Sequence, residues 1–211
     1  MDYKVYIFDL DGTLLDTLHD LASSCNYALK VCGMPLRTVD EVRQFVGNGV
    51  RVLMQRAVPN GEKNPRFGEA LDCFKEYYLI HGQEQTAPYQ GIISMLHRLK
   101  HDGKTIAVVS NKFDAATKQL CEHYFPGLID VAIGESEGVR RKPAPDTVFE
   151  VMKHLGITPQ DCVYVGDSDT DILTAKNAGL PCISVTWGFR DRQFLLDHGA
   201  TSLITSPEEL I

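Results

Sequence analysis

Val5-Tyr6-Ile7-Phe8-Asp9-Leu10-Asp11-Gly12-Thr13 is an apolar run that ends in two carboxylates and a glycine. A second stretch repeats the pattern far downstream, Cys162-Val163-Tyr164-Val165-Gly166-Asp167-Ser168-Asp169-Thr170-Asp171. Each reads as a strand buried on both faces that spills acidic side chains from its carboxyl end. In an open α/β sheet, that edge is where ligands bind. Carboxylates crowded at one edge repel one another unless a cation lies among them. The pattern therefore predicts a metal, and the metal predicts an anionic substrate.

Outward from these two stretches, strand and helix patterns alternate. Further strands are expected over 105–110, 131–134, 182–186 and 202–204, and helices over 92–102, 114–123, 146–155, 169–178 and 190–198. Gly103, Gly156, Gly179 and Gly199 each follow a helical pattern directly, as helix-ending glycines do. Strand–helix–strand repetition implies right-handed crossovers and a doubly wound parallel sheet, an α/β, Rossmann-like core with helices on both faces. One stretch breaks the rhythm. Helical patterns at 17–31, 39–45, 50–57 and 66–80 follow one another with no convincing strand between them. The expected organisation is a core formed by 1–14 and 83–211, with an all-helical cap, 15–82, inserted after the first strand.

The chain of 211 residues suits one large domain or a main domain with an insert, and its 44% hydrophobic content is ordinary for a globular protein. A formal charge of −7 argues against a nucleic-acid surface, which is normally basic. No apolar run approaches the roughly 20 residues of a membrane helix. The first residues enter the strand without a signal-peptide pattern. The six cysteines are scattered, with no Cys-x-x-Cys pair, and read as reduced thiols rather than a disulfide or zinc framework. A cytoplasmic monomer or homodimer, with no membrane partner, is the expectation. The seven histidines show no metal-ligand spacing and read as surface or packing residues.

Asp9 and Asp11 are two residues apart, so an extended strand places both side chains on one side. One carboxylate can then attack phosphorus while the other handles the leaving-group proton. Gly12 lets the chain turn tightly behind them, and a plain Asp-Gly surface turn is the alternative. Ser110 ends a strand, with Asn111 and Lys112 following. Its hydroxyl and the neighbouring N–H groups suit a phosphate oxygen, or alternatively cap the next helix. Lys142 sits in Arg140-Arg141-Lys142-Pro143-Ala144-Pro145, the densest basic run of an acidic chain. Stiffened by two prolines, its ammonium could offset the charge of nucleophile and phosphate. Asp167 follows a strand and a glycine, as suits a metal ligand. Asp171, one helical turn on, would accept from metal-bound water. Asp169 points elsewhere on the turn. All-oxygen ligands with retained waters favour Mg²⁺ over zinc.

Asp9-Leu10-Asp11-Gly12-Thr13, Ser110, Lys142 and Gly166-Asp167-Ser168-x-x-Asp171 resemble, in order and over almost the whole chain, the four motifs of the haloacid dehalogenase-like hydrolases. The helical insert resembles the cap of their subclass I, and the nearest group is the phosphoglycolate phosphatases. The resemblance implies Asp9 as the nucleophile that forms an aspartyl-phosphate and Asp11 as general acid/base. It implies Ser110 and Lys142 as phosphate binders, and Mg²⁺ held by Asp9, the backbone carbonyl of Asp11 and Asp167. The family's dehalogenases lack the second aspartate, its phosphonoacetaldehyde hydrolases carry Ala there, and its β-phosphoglucomutases usually have Glu-Asp where this chain has Gly166-Asp167. Val185-Thr186-Trp187-Gly188-Phe189 resembles phosphoglycolate phosphatases slightly more than pyrophosphatases, although Trp187 could simply pack at the domain edge.

In the cap, Val46-Gly47-Asn48-Gly49-Val50-Arg51 reads as a glycine-rich hinge entering a helix. Asn48 and Arg51 are its candidate specificity residues, because an Arg fork suits a substrate carboxylate. A solvent-facing helix position is the alternative for Arg51. The expected activity is Mg²⁺-dependent hydrolysis of a small phosphorylated metabolite, first of all 2-phosphoglycolate. Pyrophosphate or a range of sugar phosphates is the alternative within enzymes, and a catalytically silent ligand-binding protein is the alternative outside them. A silent protein would have little reason to keep Asp9 and Asp11 together, since crowding charges is costly.

Overall fold

The computed structural model describes residues 3–211, and their strands in chain order are β1 (Val5–Phe8), β2 (Leu15–Asp16), β3 (Ala87–Pro88), β4 (Thr105–Phe113), β5 (Val131–Glu135), β6 (Cys162–Gly166), β7 (Cys182–Val185) and β8 (Leu203–Ile204). Six of them form one sheet in the order β5-β4-β1-β6-β7-β8. β1 lies inside it, parallel to β4 with Phe8 opposite Val108, and parallel to β6 with Phe8 opposite Val165. The outer pairs, β4 with β5, β6 with β7 and β7 with β8, are parallel as well.

Period-two alternation assigns the core-facing residues to two layers. Tyr6, Phe8, Ile106, Val108, Val163 and Val165 face one side, where Ile92, Met95, Leu96 and Leu99 of α5 (Ile92–His101) and Leu120 and Cys121 of α6 (Asp114–Tyr124) cover them. Val5, Ile7, Ala107, Val109, Cys162 and Tyr164 face the other side, under Val148, Val151 and Met152 of α7 (Asp146–Leu155) and Ala175 and Ala178 of α8 (Asp169–Ala178). Because both faces are covered, the strands are apolar without alternation, which is why they read as continuous runs. Phe8 is 1% exposed. Truncating such a residue to Ala typically costs about 3–5 kcal/mol.

The chain winds from β1 outward through β4 to β5, then returns to the other side of β1 at β6 and proceeds to β7 and β8. The reversal falls at β1, so the carboxyl ends of β1, β4 and β6 form the edge where such sheets take ligands. Several element boundaries differ from those the sequence suggests, with the largest shifts in β4 and the last helix. β4 continues to Phe113, with its register against β5 shifting between Val109 and Phe113. The helix expected over 190–198 is α9 (Arg192–Asp197), because the Asp191 carboxylate caps it by accepting from the Phe194 N–H at 2.8 Å.

The described residues up to Leu15 and Pro88–Ile211 form one compact unit, and Asp16–Ala87 forms another. The second holds α1 (Leu18–Val31), α2 (Val39–Phe45), α3 (Val50–Ala57) and α4 (Phe67–His81). α1 packs on α4, with the Tyr27 and Tyr77 rings stacked at 4.1 Å. Asp20 of α1 is buried and accepts from the N–H groups of Gln85 and Thr86 and from the Thr86 hydroxyl, at 2.7–3.0 Å. Its charge is thus distributed over a closed set of donors. Among the described residues, no helix is long and apolar enough to cross a membrane.

Candidate active site

β1, β4 and β6 deliver their first residues past the core to one edge. The Asp9 N–H still donates to the Val165 carbonyl at 2.9 Å, so the strand geometry carries through to the first carboxylate. The Lys142 ammonium lies 2.8 Å from Asp9 Oδ1 and 2.8 Å from Asp171 Oδ1. It also donates to the Tyr164 hydroxyl at 3.0 Å, and that hydroxyl donates to Asp171 Oδ1 at 3.1 Å. All four residues are buried. Asp171 is the third residue of α8. Its Oδ2 accepts from the Ser168 N–H at 3.1 Å and the Ser168 hydroxyl at 2.6 Å, a capping box that fixes the carboxylate. Burial works against the charge on Lys142, but Asp171 and Asp9 outweigh it and hold its pKa well above the ordinary lysine value. Burial, followed by the neighbouring Asp171 and Asp167, raises the Asp9 carboxyl well above its ordinary range, although Lys142 opposes the shift.

Asp167 sits at the same edge. Its Oδ1 accepts from the Thr13 hydroxyl at 3.2 Å and its Oδ2 from the Phe189 N–H at 2.7 Å. Burial and the Asp171 charge push its pKa up to about 7, against the opposing pull of Phe189, Arg190 and Thr13. The loops that hold it approach very closely. A Cβ on Gly12 (φ +90°) would stand 2.4 Å from Asp167 Oδ2, and a Cβ on Gly188 would stand 2.4 Å from Asp167 Cβ. Both positions therefore require glycine. Trp187 packs against the core, and its Nε1 donates to the Thr13 carbonyl at 3.0 Å, which ties the loop after β7 to the loop after β1.

Asp9, Asp167 and Asp171 each offer a carboxylate oxygen, and these oxygens lie within 4.8 Å of one another. Three buried carboxylates against the ammonium that touches two of them leave negative charge in a medium that penalises it, as the raised Asp9 and Asp167 values record. An all-oxygen set of this kind fits a hard divalent cation.

Asp11 faces a different cation. Its two oxygens accept from the Lys112 ammonium at 3.0 and 3.1 Å. Sequence alone does not single out Lys112, because it and Asp11 are 101 residues apart and meet only through the pairing of β1 with β4. Nor does it single out Tyr164, whose ring belongs to the strand core while its hydroxyl reaches the site. Ser110 is buried at the end of β4, and its Oγ accepts from the Lys112 N–H at 3.2 Å. The Asn111 side chain engages the Lys142 backbone on both sides, accepting at 2.9 Å and donating at 3.1 Å. The basic run contributes Lys142 alone to this cluster. Arg140 pairs with Asp146 at 2.8 Å, and Arg141 pairs with Glu135 at 2.7 Å.

Asn48 and Arg51 belong to the helical unit. Arg51 Nε pairs with Glu62 Oε1 at 2.8 Å, and its guanidinium lies 5.3 Å from the centre of the Phe67 ring. Asn48 Oδ1 accepts from Arg56 at 3.0 Å.

The profile of the haloacid dehalogenase-like hydrolases matches residues 6–185. The phosphoglycolate phosphatase 1 of Pseudomonas aeruginosa is 33% identical over 218 aligned positions that cover 99% of this chain and 78% of that protein. The phosphoglycolate phosphatase of Aquifex aeolicus is 33% identical over 88% of this chain and 86% of its own length. Among solved structures, a candidate phosphoglycolate phosphatase from Lactobacillus delbrueckii subsp. bulgaricus superposes with a TM-score of 0.96 at 41% identity, covering 100% of this chain and 97% of that one. The chain belongs to the haloacid dehalogenase-like hydrolase family.

Proposed function

We propose that the protein is a Mg²⁺-dependent phosphatase that hydrolyses 2-phosphoglycolate through a phosphorylated Asp9. The observation that carries this reading is the buried Lys142 bridge between Asp9 and Asp171, with Asp167 beside it. A cation beside a buried carboxylate favours its ionised form and its approach to a dianionic phosphate, and this arrangement supplies one. The substrate rests on the phosphoglycolate phosphatases that match nearly the whole chain.

An oxygen of Asp9 bonds to phosphorus as the ester P–O bond breaks, and Asp11 gives a proton to the departing alkoxide. Water then attacks the phosphorus and Asp11 takes its proton. The bond between phosphorus and Asp9 breaks, and inorganic phosphate leaves. Lys142 offsets the charge of Asp9 and of the phosphoryl oxygens, with Ser110 as a further phosphate donor. Asn111 serves the phosphate through the Lys142 loop. Mg²⁺, held by Asp9, the Asp11 carbonyl and Asp167, would screen the charge between nucleophile and phosphoryl group, with Asp171 supporting it from behind. The helical unit is the subclass I cap of this reading and supplies specificity through Asn48 and Arg51. A reduced, cytoplasmic setting accords with the six unpaired cysteines. Pyrophosphate is the alternative substrate, with Arg140 and Arg141, paired with Asp146 and Glu135, as the cations that a second phosphate could recruit.

The test is kcat/KM with Mg²⁺ for 2-phosphoglycolate, pyrophosphate and several hexose phosphates, together with acid-quench trapping of a phosphoenzyme. Phosphoglycolate should lead the panel, and the label should be absent from Asp9→Asn. A tenfold or greater preference for pyrophosphate or a hexose phosphate refutes the substrate. A label that persists in Asp9→Asn refutes the nucleophile.

A further inference from the structure

Two lysines divide three carboxylates between them at this edge. Lys142 bridges Asp9 and Asp171, while Lys112 holds both oxygens of Asp11, at 3.0 and 3.1 Å. The second pair is well enclosed, with 7% of the Lys112 side chain and 21% of the Asp11 side chain exposed. Its geometry follows from the sheet. Phe8 lies opposite Val108, so Asp11 and Lys112 emerge a few residues later from neighbouring strands at the same end. The register shift of β4 against β5 falls between Val109 and Phe113, and such an irregularity re-aims the side chains within it. The Lys112 backbone is held on both sides. Its N–H donates to Ser110 Oγ at 3.2 Å, and its carbonyl accepts from the Thr117 hydroxyl at 3.3 Å. An ammonium anchored this way, contacting both oxygens at once, restricts both side-chain torsions of the aspartate.

We infer that Lys112 is a positioning residue for Asp11: it keeps the carboxylate in the one orientation from which a proton passes to the leaving group and is then taken from the attacking water. The inference rests on the reading of Asp9 as nucleophile and Asp11 as acid/base. Proton transfer by a placed group typically contributes about 10²–10⁴-fold, and a displacement of about 1 Å can forfeit about 10²-fold of such a rate. In the second half-reaction the water oxygen bonds to phosphorus, the P–O bond to Asp9 breaks with its electron pair returning to Asp9, and the water proton moves to Asp11. That step is the same whatever the substrate.

p-Nitrophenyl phosphate separates the two halves, because nitrophenolate leaves without needing a proton. With Mg²⁺ present, Lys112→Met should still phosphorylate Asp9 readily and should stall at hydrolysis. The expected result is a pre-steady-state burst approaching one nitrophenolate per enzyme and a larger phosphoenzyme fraction on acid quench. kcat should fall about 10–100-fold with KM unchanged or lower. Lys112→Arg, which keeps a cation able to hold two oxygens, should recover most of kcat. A rise in KM for aryl and alkyl phosphates alike with kcat intact would make Lys112 a phosphate contact and overturn the inference. An unchanged kcat would overturn it too.

Asp11→Asn is run alongside as the reference. If it shows the burst and Lys112→Met does not, the role of Lys112 is wrong and the proposed function stands. If no phosphoenzyme forms in the native protein or in either variant, the reading of Asp9 fails and the inference goes with it. Should Lys112→Met fail to fold because it strands a carboxylate, the double variant Asp11→Asn/Lys112→Met removes both charges and is compared with Asp11→Asn alone. Equal rates mean that Lys112 acts only through Asp11, and a further tenfold loss means that it does not.

Discussion

Asn111 grips Lys142 across 31 residues of sequence: its Oδ1 accepts from the Lys142 N–H at 2.9 Å and its Nδ2 donates to the Lys142 carbonyl at 3.1 Å. This two-point clamp joins the end of β4 to the loop before α7 and fixes where the ammonium between Asp9 and Asp171 can stand.

Asn111→Ala should therefore act on two observables. Two buried backbone groups lose their partner, at about 1–3 kcal/mol for each group left unsatisfied, so the thermal midpoint should fall. Lys142 should also drift, lowering kcat/KM by about 10–100-fold at a temperature where the variant is folded. Melting and kinetics on the same preparation check both. A destabilised variant with native kcat/KM would reduce the clamp to a structural role.

Asp9→Asn should separate activity from stability. The Asp9 carboxylate is penalised by burial and by Asp171 and Asp167, while Lys142 keeps Asp171 as a partner if Asp9 becomes neutral. Turnover should fall by at least about 10³-fold, as expected for loss of a nucleophile. In metal-free buffer near neutral pH, the melting temperature should stay level or rise. Differential scanning calorimetry after exhaustive chelation makes the comparison, and a melting temperature lower by several degrees would mean that Asp9 stabilises the fold.

Metal removal provides a readout independent of turnover. A cation binding among Asp9, Asp167 and the groups beside them stabilises only the folded state, by about 2.7 kcal/mol at a hundred times its dissociation constant. EDTA should abolish activity and Mg²⁺ should restore it, while Mg²⁺ raises the melting temperature of the native protein. In Asp167→Asn both responses should weaken together. Calcium should raise the melting temperature without supporting turnover, because its looser coordination misplaces nucleophile and phosphate. Full activity after chelation would remove the metal from the mechanism.

The parts of the site that lie next to a strand could be read from the chain, and the parts that depend on strand order could not. Asp9 and Asp167 announce themselves as acids directly after apolar runs, and Asp171 follows at one helical turn. The strands of the six-stranded sheet were legible because residues covered on both faces have no polar side to show, whereas β2 and β3, two residues each, are too short to leave a pattern. Lys112 was not legible, since its pairing with Asp11 depends on β4 lying beside β1 and on a register shift that leaves no mark in the sequence. Tyr164 reads as a core residue and is one, apart from its hydroxyl. The need for Gly188 lies in a contact with Asp167 that only the folded loops create. Arg140 and Arg141 stand beside Lys142 in the chain but pair with Asp146 and Glu135, so the density of a basic run does not say which of its charges joins the cluster.

Arg51 carries the final prediction. In the helical unit it pairs with Glu62 at 2.8 Å, and both side chains are about half exposed, at 53% and 44%. Exposed pairs of this kind contribute about 0–1 kcal/mol, so a substrate carboxylate can displace Glu62 at little cost. If Arg51 receives the carboxylate of phosphoglycolate, Glu62 competes with the substrate. Glu62→Gln should then lower KM for phosphoglycolate by about two- to fivefold, within the range of such a pair, and leave kcat nearly unchanged. Arg51→Ala should reduce kcat/KM for phosphoglycolate by about 10–100-fold, as loss of a charge-assisted hydrogen bond does. For p-nitrophenyl phosphate, which has no carboxylate, both substitutions should be nearly silent. Steady-state kinetics of the two variants on the two substrates make the comparison. Equal effects on both substrates would show that Arg51 supports the helical unit rather than the substrate, and no effect on either would leave carboxylate recognition to another residue.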